Sequence, residues 1–178
     1  MTLFNANYIG DMPSINNGVN MGKFESILQR SSVSFSVIDS LEQFPQWTAL
    51  YRYRNNMNNK VYIHNWTVLE ELNWSAVSIE LSSEIDKSHV RIFHALMANS
   101  ESGSLIFDYD LQQHLNQTDD GESTIVLLNT FKLMDSMEFV VNQIAELNKD
   151  QKERNISVIH PAELPFGTQL CLYRGLKE

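Results

Sequence analysis

Apolar and polar residues change their spacing several times along the chain, and each change predicts an element. Residues 1–20 show no period. Leu3, Phe4 and Tyr8 are scattered among asparagines and interrupted by Gly10, Pro13 and Gly18, which predicts an N-terminal arm or loop. Phe24, Ile27 and Leu28 fall on one face of a short helix. Val33, Phe35 and Val37 alternate with serines, as the inward side of a half-exposed strand does. Asp39 or Ser40 is placed to cap a helix. Pro45 suits a first helical turn, where its missing N–H would have no partner anyway. That helix is expected to run to about Asn55, with Trp47, Leu50, Tyr51 and Arg54 sharing a face.

The middle of the chain alternates more quickly. Residues 61–63 make a short apolar strand. Thr67 with Glu70 has the spacing of a capping box and predicts a helix to Asn73. Val77, Ile79 and Leu81 alternate with Ser78, Glu80 and Ser82, a strand with one wet face. Ile85, His89, Ile92, Phe93, Leu96 and Met97 recur at helical spacing, so a helix is expected over 84–98, although Val90 and Ile92 also alternate. A strand over 105–109, a short helix over 110–116 and a turn over 119–122 follow. Residues 125–128 are apolar without interruption, which marks a central strand buried on both faces.

The clearest helical pattern covers 135–154. Asp135 and Glu138 are spaced as a capping box, and Met137, Val140, Val141, Ile144 and Leu147 make the inward stripe. Lys149 with Glu153 and Asp150 with Arg154 are pairs on the outer side. Residues 156–159 and 168–173 are expected to close the fold as two strands paired around a 161–167 loop. Helices and strands thus alternate with no repeat or linker. A single α+β domain over 1–178 is expected, with a mixed or antiparallel sheet and helices packed mainly on one face, because the middle helices are short for parallel crossovers.

Charge adds a second layer. The formal net charge of −9 is carried by residues 61–131, where eleven acids face only Lys87 and Arg91. Such a region repels nucleic acid and anionic membrane and attracts a basic protein surface. Glu80, Asp108, Asp110, Asp119, Asp120 and Glu122 are the candidate binding residues. No basic start or apolar run marks a leader or a membrane span, so a cytoplasmic location is expected. Cys171 is the only cysteine, which excludes an internal disulfide, and it suits a small core position.

Chemistry is sparse by contrast. The glycines form neither a dinucleotide nor a P-loop pattern, and HExxH, GxSxG and Cys/His zinc spacings are absent, so no cofactor is expected. Arg154-Asn155 and His160 resemble the Arg-x₄₋₆-His motif of a class of helical ribonucleases, but residues 156–159 have the pattern of a strand. The spacing 116–127 has Gly121 where a calcium loop needs it and Leu127 where that loop needs a bidentate Glu. Tyr51, Arg52, Tyr53 and Arg54 form a basic–aromatic cluster that a helix would point in several directions. His89 and His94 would lie on different helical faces. The expectation is therefore a non-enzymatic binding module, such as an inhibitor, an immunity protein or a phage-encoded antagonist, docking an acidic face on a basic partner. The alternative is a small hydrolase or nuclease with a dispersed carboxylate/His site.

Overall fold

In a computed structural model the described residues are 17–85, 88–115, 123–148 and 155–175. The elements in chain order are α1 (Asn17–Arg30), β1 (Ser34–Ile38), α2 (Phe44–Arg54), β2 (Lys60–Ile63), α3 (Thr67–Glu70), β3 (Glu80–Ser82), β4 (Val90–Ala95), β5 (Met97–Asn99), β6 (Leu105–Phe107), α4 (Leu111–Leu115), β7 (Ser123–Asn129), β8 (Leu133–Met134), α5 (Met137–Asn148), β9 (Ser157–Ile159) and β10 (Gln169–Tyr173). The arm over 1–16, the turn with Asp119, Asp120 and Glu122, and the end of the long helix with its ion pairs and Arg154 lie outside the described residues.

Two sheets organise the molecule. The larger has six strands in the order β1-β10-β7-β4-β2-β3 and is parallel throughout. The smaller is mixed, in the order β8-β5-β6-β9, and is built from strands inserted between β4 and β7 and between β7 and β10. The expected mixed pairing is thus confined to the smaller sheet. Crossovers of modest length suffice for the parallel one, since β2 reaches β3 through only α3 and a 3-10 turn.

Period-two geometry sorts the strand residues into two cores. Phe93, Ala95, Val126, Leu128, Leu170 and Leu172 point to one side, where Phe24 and Leu28 of α1 and Ala98, Leu105, Phe107, Leu133 and Ile159 of the small sheet meet them. Val61, Ile63, Val90, Ile92, Ile125, Leu127 and Cys171 point to the other, under Phe44 of α2 and Leu69 of α3. Helices therefore cover both faces of the parallel sheet rather than mainly one. The outer face of the small sheet, through Met97, Ile106 and Met134, receives Val140 and Ile144 of α5.

Several local expectations are corrected by this packing. The helix expected over 84–98 is instead β4 and β5. β4 is buried on both faces except at His94, so its apolar residues lose the alternation of a strand and imitate helical spacing. The inward stripe of α5 is narrower than expected. Val140 is buried, but Met137 and Val141 are 42% and 57% exposed, because a four-stranded sheet accepts only one row of the helix. Its cap is Ser136, whose Oγ accepts the Phe139 N–H at 3.3 Å, and not Asp135. In α2 the buried row is Phe44, Pro45 and Thr48, while Leu50 is exposed.

α3 stops at Glu70 and is preceded by Trp66 at its cap, so Thr67 caps nothing. Residues 75–77 form a 3-10 turn, and the strand begins only at Glu80. Finally, β9 and β10 do not pair with each other. β9 joins β6 in the small sheet and β10 lies between β1 and β7 in the large one.

The β5–β6 hairpin shows why a glycine is needed at one position. Gly103 has φ +76, and a Cβ there would lie 2.6 Å from Cγ2 of Ile27 on α1. The Asn99 Oδ1 accepts from the N–H groups of Glu101 and Ser102 and holds the same turn.

Candidate functional site at the C-terminal edge of the parallel sheet

Strand order determines where a parallel sheet opens a crevice. From β2 the chain moves outward to β3, whereas from β4 it moves the other way, to β7 and then β10. The connection after β2 packs Leu69 on one face of the sheet, and the connection after β4 packs Leu105 and Phe107 on the other. The loops leaving β2 and β4 therefore diverge, and the gap between them at the C-terminal strand ends is the topological switch point, the usual ligand position in sheets of this kind.

A histidine stands at each lip of that gap. Ile63 pairs with Ile92, and the His64 N–H continues the ladder to the Ile92 carbonyl at 3.0 Å. His94 is two residues further along β4. Because Tyr62 and His64 alternate with Ile63, both turn to the face of Phe93, while His94 turns to the face of Ile92. Between the two lips Asn65 adopts φ +44, a left-handed conformation that is uncommon outside glycine and recurs at functional sites. That bend sends Trp66 back across the edge, opposite to His64.

On the His64 side, the Tyr62 hydroxyl lies 3.1 Å from Nδ1. The rings of Tyr109 and His114 come to 4.3 and 4.4 Å of the His64 ring, and Phe93 closes the back at 5.7 Å. Burial and the neighbouring His114 push the His64 pKa down to about 4, against a smaller opposing effect from the Asp108 carboxylate. The Tyr62 phenol is pushed up, mainly by burial. The imidazole is therefore neutral and the phenol protonated near neutral pH, so one ring nitrogen donates and the other accepts. The Asn65 Nδ2 lies 3.4 Å from Nε2 and donates to it, so the ring hydrogen sits on Nδ1 and is donated to the Tyr62 hydroxyl oxygen.

On the other side Trp66 stacks on His94 at 3.9 Å and 16°, with Tyr173 at 6.4 Å from the indole. Burial, helped by the nearby Lys132 ammonium, holds His94 down to about 4. The two sides are joined by the Tyr109 hydroxyl, which donates to the His94 carbonyl at 3.3 Å. Neutral imidazoles, protonated phenols and ring faces together suit stacking and uncharged hydrogen bonds. Among the described residues no group of three or more His, Cys, Asp or Glu side chains is arranged to hold a metal ion.

The acidic candidates are only partly brought together. Asp108 lies close enough to influence His64, and Asp110 follows two residues later at the start of α4. Glu80 pairs in register with Lys60 at the opposite end of β2, the N-terminal edge of the sheet. Asp119, Asp120 and Glu122 fall outside the described residues. His160 caps a 3-10 turn with Glu163, whose carboxylate accepts the His160 N–H at 2.7 Å, and it has no part in the site. Cys171 is buried in the core, and burial raises its thiol pKa. In the Tyr51–Arg54 cluster, Tyr51 binds Ser123 at 2.6 Å, Arg52 donates to the Met57 carbonyl and Tyr53 is exposed, so no single platform forms.

His64, His94 and His114 were not candidates from the sequence. The available signal was the apolar run 61–63 ending in His64, and it becomes informative only once 90–95 is also a strand.

The architecture is that of a parallel α/β sheet with a topological switch point between β2 and β4 and a small mixed sheet inserted into the crossovers. No protein-family model and no curated protein matches the chain. Among solved structures, it is similar to a DUF162 family protein from Deinococcus radiodurans, at a TM-score of 0.64 and 13% identity over 89% of this chain and 99% of that one. A likeness at that identity shows a shared fold. No helix among the described residues is long and apolar enough to cross a membrane.

Proposed function

We propose that this chain is a small-ligand-binding domain whose ligand seats at the switch point, between the loops that follow β2 and β4. The observation that supports the reading is the pairing of His64 and His94 on the two lips, each neutral and each walled by aromatic rings. Rings supply stacking area with little loss of side-chain freedom, and the imidazoles and phenols supply orientation without a charge that must be desolvated.

The test is a titration followed by histidine ring resonances, with nucleosides, aromatic acids and monosaccharides as probes. One class should shift His64 and His94 together, and His64→Ala or Trp66→Ala should weaken its binding at least about tenfold, a loss of roughly 1.4 kcal/mol. Probes that shift neither ring, or whose binding ignores both substitutions, would overturn the reading.

A basic protein partner is the second reading. It is favoured by Asp110, two residues after Asp108, which lines a depression along the edge strand β9 together with Gln112, Gln113 and residues 155–159. Charge reversal at both aspartates should then slow association and flatten its salt dependence. An association rate indifferent to the double reversal would remove this reading.

A further inference from the structure

The proposed site is unevenly charged, and the unevenness specifies the ligand further. β7 runs beside β4 with Leu127 opposite His94 and Leu128 opposite Ala95, so the turn leaving β7 emerges next to His94. That turn, Thr130–Lys132, is held in place by Asn129. Its Oδ1 accepts the N–H of Phe131 at 3.0 Å and that of Gly175, just after β10, at 3.3 Å. Two neighbouring strand-end loops are thus tied together, and Lys132 is carried at the end of one of them. Its side chain is half-buried, and among the described residues no carboxylate pairs with it. Asp108, a carboxylate of this edge, acts on His64 on the other side of the strand ends.

We propose that the ligand of this edge is a planar organic monoanion, a small aromatic or conjugated carboxylate, with its ring against Trp66 and its carboxylate on Lys132. The inference rests on the small-ligand reading above and deepens it. A half-buried ammonium without an acidic partner beside a ring stack is completed by a molecule that brings both a ring face and one negative charge. The opposite orientation would place the carboxylate next to Asp108. A phosphate dianion fits less well, because the Thr130–Lys132 turn itself offers one cation and no phosphate-binding glycine loop, the nearest arginine being Arg174 in the adjoining loop.

Benzoate and benzamide serve as paired probes, equal in shape and different in charge, with inorganic phosphate as a third. On the full chain, followed by tryptophan indole and histidine ring resonances, benzoate should shift Trp66 and His94 and bind at least about tenfold more tightly than benzamide. Lys132→Gln should abolish that preference, and Lys132→Arg should keep most of it. Because Lys132 packs in no core, both variants should melt with the unsubstituted protein, which separates lost charge from lost fold.

If benzoate and benzamide bind equally, or Lys132→Gln leaves the preference intact, the anion assignment is wrong while the site reading stands. Phosphate binding in place of benzoate would overturn the planar class. If none of the three shifts either ring, the anion assignment falls, and the site reading beneath it falls only if nucleosides and monosaccharides also leave both rings unshifted.

Discussion

The two sides of the C-terminal edge reach the same protonation state by different routes. His64 is held at about 4 by burial and a second imidazole, with a carboxylate pulling the other way, and it is hydrogen-bonded in plane by a phenol. His94 reaches about 4 through burial and an ammonium, and it is covered face-on by an indole. One side is built from edges and hydrogen bonds, the other from a stack. Loss of a solvating shell is the common term, and it outweighs the local charges in both. The neighbours then differ in what each side offers a ligand: a hydrogen-bonding edge at His64, a ring face with a cation at His94.

The sharpest way to break the His64 side is from behind. Phe93 is fully buried and backs both His64 and Tyr109, so Phe93→Ala should cost about 3–5 kcal/mol in urea unfolding. A loss below about 1 kcal/mol would mean that the ring cluster is not packed as described. Acid should come next. Each histidine takes up a proton in the unfolded chain near 6.5 and in the folded chain only near 4, so the unfolded state binds more protons across that window. Stability should be intact above about pH 6.5, fall as the pH drops toward 4 and level off below it. His94 should account for roughly 2 kcal/mol and His64, whose burial is opposed by the Asp108 carboxylate, for less. His94→Leu should flatten that part of the profile, and a profile unchanged by the substitution would show that His94 already titrates normally.

Trp66→Ala should cost less, about 1–2 kcal/mol, since the indole is half-exposed and the stack adds only a fraction to its burial. Its informative readout is the His94 resonance. Opening the stack hydrates the ring, so its pKa should rise toward 6.5 while that of His64 stays low. If the two rise together, the two sides are one coupled unit. The smallest effect is expected at Lys132→Gln. Stability should change by less than about 0.5 kcal/mol, while the His94 pKa rises by a fraction of a unit as the nearby positive charge is removed. A matching rise at His64 would contradict the placement of Lys132 on one side only.

Much of the fold was legible where a residue's environment follows from its near neighbours. The alternation of Val33, Phe35 and Val37 marked β1, and Pro45 marked the start of α2 within a residue. The uninterrupted run 125–128 marked the central strand β7, and Cys171 lies in the core as its size and solitude suggest. Patterns failed where two environments give one signature. β4, buried on both faces, copies a helix, and α5 shows a wide apolar stripe although, among its described side chains, the narrow sheet beneath it receives Val140 and Ile144 while Met137 and Val141 stay exposed.

The sequence by itself determined the alternating elements, their rough bounds and the mixture of helix and sheet, because hydrophobic periodicity and backbone sterics act over a few residues. Only the tertiary structure decided which strands are neighbours, and with them the site. His64 and His94 are thirty residues apart in the chain. They come to flank the switch point because β2 pairs with β4 and the chain departs in opposite directions from the two. Strand order and the direction of crossover are choices made by the whole packed core, and no local spacing of residues encodes them.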